Sequence, residues 1–85
     1  MERPEWWDWE LAFTSHVEMR MEERGFTEVD LRGMLDNAVS VERSGRGERW
    51  IVSARHGGRS WKIVLEPDAD ERITNVVTAY AREAR

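Results

Sequence analysis

The chain has 85 residues, no cysteine, and 13 basic against 17 acidic side chains, a formal charge of −4. One small domain fits that length, burying roughly two-thirds of the surface its unfolded chain exposes. The missing cysteines exclude a disulfide scaffold and cysteine-based metal sites. Five tryptophans and 40% hydrophobic residues exclude compositional disorder.

At the start, Glu5-Trp6-Trp7-Asp8-Trp9 makes residues 1–8 an acidic, tryptophan-rich extension ahead of a single domain over 9–85. Tryptophan is a frequent interface anchor, so this segment either contacts a partner or covers one end of the core. Met1-Glu2-Arg3-Pro4-Glu5 lacks the basic start and apolar stretch of a signal peptide. No apolar run approaches the ~20 residues of a membrane span. A cytoplasmic protein without membrane contact is expected.

Trp9, Leu11 and Phe13 alternate with polar or small residues, the period of a half-buried strand. Ser15 with Glu18 forms a capping-box pattern, so a helix is predicted from Ser15 to a stop at Gly25. A continuous helix from Trp9 is the alternative; the Thr14-Ser15 pair favours the later start. Thr27 with Asp30 opens a second helix, with Phe26 and Leu31 at the staple positions and Val29, Leu31, Met34, Leu35 and Ala38 on its apolar side. It should end near Asp36 or Asn37.

Strands and turns follow. Val39-Ser40-Val41 is a short strand, Ser44-Gly45-Arg46-Gly47 a turn, and Trp50 to Arg55 a strand with Trp50, Val52 and Ala54 on one face. The Gly57-Gly58 pair predicts a tight hairpin. Ser60 to Glu66 returns with Trp61, Ile63 and Leu65 on one face and Lys62 and Val64 on the other. Ile73 to Tyr80 is the last strand, placing Thr74, Val76, Thr78 and Tyr80 together. Ala81 to Arg85 reads as a frayed or helical end. The result is an α+β domain, two N-terminal helices on a mostly antiparallel sheet of four or five strands, in the order β-α-α-β-β-β(-β).

Charge is segregated along this order. Residues 1–42 carry 4 basic and 11 acidic side chains, whereas 43–65 carry Arg43, Arg46, Arg49, Arg55, Arg59 and Lys62 against Glu48 alone. Local arrangement sets the field, so the basic middle can meet phosphate or simply form a solvated hairpin. His16, Arg20 and Arg24 recur every four residues and share one face of the first helix. An imidazole near a helix start beside two guanidiniums suits acid–base work with charge clamps. The plainer reading is a surface helix whose arginines pair with Glu18, Glu22 or Glu23. Thr78 and Tyr80 would set a hydroxyl and a phenol beside this stripe, and Lys62 would join them. His56, in its glycine turn, reads as solvated. No phosphate loop, metal-ligand spacing or nucleophile elbow is present, so neither a cofactor nor a metal is expected.

The string Phe13-Thr14-Ser15-His16-Val17-Glu18-Met19-Arg20-Met21-Glu22-Glu23-Arg24-Gly25-Phe26-Thr27 resembles the opening of small, mostly uncharacterised bacterial and phage domains. Ile73-Thr74-Asn75-Val76-Val77-Thr78-Ala79-Tyr80 looks like their closing strand. Those domains stand near the RelE- and BrnT-like toxins of the barnase/EndoU/colicin/RelE group of metal-independent ribonucleases. The resemblance implies a RelE-like fold and a toxin-like endoribonuclease of a toxin–antitoxin or phage system, cleaving RNA by 2′-hydroxyl attack. It implies a catalytic set of His16 as acid or base, Arg20 as phosphate clamp, and Thr78 and Tyr80, with Lys62 or Arg55 adding charge; Arg24 of the helix stripe and Arg59 of the basic middle are expected to bind phosphate beside them. Its partners would be RNA, presented by a ribosome or free, a cognate antitoxin or inhibitor protein, and a second copy in a homodimer. The alternative is a non-catalytic interaction module of the same fold, using the tryptophan-rich start as its contact surface.

Overall fold

A computed structural model describes residues 3–45 and 47–82. The elements are a 3-10 turn at Glu5–Asp8, strand β1 (Glu10–Phe13), helices α1 (Ser15–Arg24) and α2 (Glu28–Asp36), and strands β2 (Ala38–Arg43), β3 (Trp50–His56), β4 (Arg59–Asp68) and β5 (Ile73–Arg82). The chain is therefore α+β in the order β-α-α-β-β-β-β. All five strands form one mixed sheet, β1-β5-β4-β3-β2, with β1 parallel to β5 and the other pairs antiparallel. Both helices pack on one face of it. No helix among the described residues is long and apolar enough to cross a membrane.

Local chemistry sets the helix boundaries. The cap of α1 is Thr14, whose hydroxyl accepts from the Val17 N–H at 3.1 Å. The sequence favours Ser15; the two adjacent hydroxyls are equivalent in pattern, and the extended backbone at Thr14 decides. Gly25 closes α1 in the left-handed region at φ 71°, where a side chain would be strained. Thr27 and Asp30 complete the expected capping box on α2. Val29, expected on the apolar side, is 77% exposed, because Leu31 and Met34 point inward instead.

The core joins Val17 and Met21 of α1 and Leu31 and Met34 of α2 to Val52, Ala54, Trp61, Ile63, Leu65, Val76 and Ala79 of the sheet. Each large aliphatic member contributes roughly 1.5–3 kcal/mol by leaving water. Phe26 meets the edge of the Trp61 ring at 5.1 Å, and Trp6 packs on Trp7 and Trp50 at 5.7 and 5.5 Å.

β5 departs from simple alternation. Val64 pairs with Thr78 and Leu65 with Val76, so Val77 is an extra residue, a β-bulge. Thr74 and Val76 face the core before it, and Ala79 faces the core after it. Thr78 and Tyr80 therefore leave the face they were expected to share with Thr74 and Val76. β5 also runs on through Arg82, where the sequence suggested a frayed or helical end from Ala81. The remainder of that end, residues 83–85, and Arg46 of the predicted turn lie outside the described residues.

Candidate nucleic-acid interface

One end of the sheet collects the hairpin between β3 and β4, the C-terminus of α1, the N-terminus of α2 and the last residues of β5. The antiparallel register aligns Arg55 with Ser60, Ser60 with Arg82, Ser53 with Lys62, and Lys62 with Tyr80. Directly opposed residues share a face, so these side chains stand on the sheet face that the helices leave open. His56 and Arg59 oppose one another on the helix side.

Arg24 links the two faces. β1 pairs with β5 only from Ile73 to Val76, leaving the outer side of β5 bare beyond that point. Arg24 fills the gap: its Nη1 donates to the Ala79 carbonyl at 2.7 Å and the Thr78 hydroxyl at 3.3 Å. Beside it lies a cleft of about 450 Å³ lined by Arg24, Arg59, Trp61, Tyr80 and Ala81. The Arg59 guanidinium stands 5.9 Å from the Trp61 ring centre. Around the hairpin a second cleft of about 220 Å³ takes in Arg55, Lys62 and Arg82. Trp61 borders both. Lys62 is steadied by a 2.6 Å hydrogen bond to the Ser53 hydroxyl.

Arg24, Arg55, Arg59, Lys62 and Arg82 have no carboxylate partner among the described residues. Elsewhere arginines are spent on carboxylates: Arg20 on Glu23, Arg32 on Glu28, Arg43 on Glu48 and Arg49 on Glu66. Unneutralised cations around an exposed phenol can hold a phosphodiester through forked guanidinium donors and stack an unpaired base.

The expected site residues divide accordingly. Arg24, Thr78 and Tyr80 come together, with Arg59 across the cleft and Arg55 and Lys62 around the hairpin. Lys62 approaches Tyr80 on the open face, so it does not join the α1 stripe as the sequence suggested. Arg20 is engaged with Glu23. His16 is exposed and lies eight residues before Arg24, about 12 Å along the helix axis at 1.5 Å per residue. The structure does not bring it to the cleft.

Sequence reasoning missed three participants. Trp61 was legible only as core, yet the residue borders both clefts. Arg82 shares the face of Tyr80, a placement that a strand continued past Tyr80 would have revealed. His56 is half-buried rather than a solvated turn residue: its Nε2 lies 3.3 Å from Oδ1 of Asp30, and its ring packs against Gly33 of α2. The Asp30 carboxyl is held below its ordinary range, first by the Thr27 backbone N–H, then by the Thr27 hydroxyl, with His56 adding to both. This pair ties the hairpin to the start of α2. Among the described residues no three His, Asp or Glu side chains gather as a metal-binding group.

No curated protein and no solved structure matches the chain. Residues 13–81, from the end of β1 through the Tyr80 strand, match the family described as a domain of unknown function, DUF4258, and the chain belongs to that family.

Proposed function

We propose that this domain is a toxin-like endoribonuclease related to the RelE and BrnT type, with the basic end of its sheet as the RNA-binding surface. The observation that carries the reading is the cleft between Arg24 and Arg59 with Tyr80 on its wall, inside a group of cations that no carboxylate among the described residues neutralises. A phosphate seated there is held by two guanidiniums, which offset the charge of the pentacoordinate phosphorane. The ribose 2′-hydroxyl attacks phosphorus and releases its proton to water. The bond from phosphorus to the 5′-oxygen breaks as the Tyr80 phenol donates its proton there, and water reprotonates the phenolate. The products are a 2′,3′-cyclic phosphate and a 5′-hydroxyl. His16 stands outside this reaction, in contrast to the role that the family resemblance implies.

Incubation of the purified chain with total RNA, with and without ribosomes, tests this. Wild type should give fragments with cyclic-phosphate ends. Tyr80→Phe and the double variant Arg24→Ala/Arg59→Ala should slow cleavage by about a hundredfold, while His16→Ala changes it little. RNA left intact in both conditions, or equal cleavage by all variants, refutes the assignment. Retained salt-sensitive RNA binding without cleavage would leave a binding domain in its place.

A further inference from the structure

The opposite end of the molecule carries a different kind of surface. β1 is an edge strand, and its outer side bears no backbone hydrogen bond among the described residues. Trp9 continues it backward in extended conformation, φ −71° and ψ 155°. Its pairing with β5 is free of register shifts. The other edge, β2, is interrupted by the extra residue Val39, a device that discourages strand addition. β1 lacks that protection.

Beside this open edge, on the helix side, lies a groove of about 340 Å³ between β1 and α2. Trp7, Trp9, Leu11 and Leu35 supply its apolar walls. Of the cations here, Arg32 pairs with Glu28, while Arg3 lies over Trp7 at 5.2 Å and Arg72 over Trp9 at 5.6 Å, each held on an indole face with its charge retained, as Arg59 is on Trp61. The carboxylates have no such hold. Asp8 and Asp36 at the groove, and the exposed Glu10 on the other face of β1, have no cationic partner among the described residues. An incoming strand on this edge would satisfy bare amides and carbonyls while sending alternate side chains to opposite faces. One set would enter an aromatic groove; the other would meet uncompensated negative charge.

We propose that the outer edge of β1 is a docking strand for an extended segment of a partner protein in which apolar residues alternate with lysine or arginine. The apolar set packs between Trp7, Trp9 and Leu35, and the basic set faces Glu10. The tryptophans and most of β1 precede the segment matched to the family, whereas Leu35 and Asp36 lie within it. The docking surface does not depend on ribonuclease activity at the other end.

The test uses the full chain and three synthetic peptides: one alternating valine and lysine, one alternating valine and glutamate, and one with the first composition in block order. Binding is read from tryptophan fluorescence and from amide hydrogen exchange of Glu10 to Phe13. The valine–lysine peptide should saturate the fluorescence change and protect the alternate amides of this stretch that point away from β5, and the other two should not. Glu10→Lys, at an exposed position, should weaken that peptide by roughly fivefold and improve the valine–glutamate one, the scale of a cross-strand charge pair. Equal binding of all three peptides overturns the proposal, as does protection confined to β2. So does protection of β1 that rises with protein concentration without peptide, which would make a second copy the occupant.

Discussion

The two ends of this sheet treat charge in opposite ways. At the hairpin end, Arg24, Arg55, Arg59, Lys62 and Arg82 carry no carboxylate partner among the described residues. At the tryptophan end, Arg3 and Arg72 lie over indole rings, Arg32 pairs with Glu28, and Asp8, Glu10 and Asp36 have no cationic partner among the described residues. A total of −4 conceals both. Unpaired charge is the part of a surface that attracts a partner at a distance, so the two ends differ most at the five cations of the one and the three carboxylates of the other. Shape differs in the same sense. The basic end offers clefts around a phenol; the acidic end offers a groove along an open strand.

Removing an anchor from the tryptophan end should have the largest effect. Trp6 is 8% exposed, and Trp6→Ala should cost about 3–5 kcal/mol in urea unfolding. That would show this end to be part of the core; a loss near zero would separate it from the fold. Next comes the basic end. If RNA is its ligand, Arg24→Ala/Arg59→Ala should lower the slope of log affinity against log salt by about 0.7 per lost contact. Arg43→Ala/Arg49→Ala, removing cations already paired, should leave that slope unchanged.

Helix α2 connects the ends, starting beside His56 and finishing at Leu35 and Asp36. Thr27→Ala removes its cap and should cost about 1 kcal/mol in thermal or urea unfolding. Gly33→Ala should add about 0.5–1 kcal/mol, because the new methyl meets the His56 ring at an ordinary 3.5 Å. The smallest effect is acid sensitivity. The folded Asp30 carboxyl, held by the Thr27 backbone N–H and hydroxyl, titrates below the ordinary aspartate range, so its stabilisation is present above that range and lost as pH falls through the lower folded value. Asp30→Asn should flatten stability against pH in that acid window.

Much of the fold was readable because its determinants are local. Gly25, the Thr27–Asp30 box and the Gly57-Gly58 turn act within a few residues, and the alternation in β3 and β4 predicted their buried faces. The cap on α1 was off by one residue because Thr14 and Ser15 offer the same hydroxyl chemistry. The site was less legible. The approach of His56 to Asp30 joins residues 26 apart, and that of Arg24 to Ala79 joins residues 55 apart. Nothing in either neighbourhood announces such pairs. The face of Tyr80 was misread because a period-two count cannot see an extra residue that fits its strand well.

That extra residue, Val77, decides which face the end of β5 presents. Plain alternation from Val76 onward would carry Tyr80 beneath the helices and Ala79 into the open. Deleting Val77 itself would leave Val64 opposite Thr78 and Lys62 opposite Tyr80, so the bulge would vanish while the faces beyond it stayed as they are. An alignment with a sequence one residue shorter here must place its gap at this position, or it equates residues on opposite sides of the sheet.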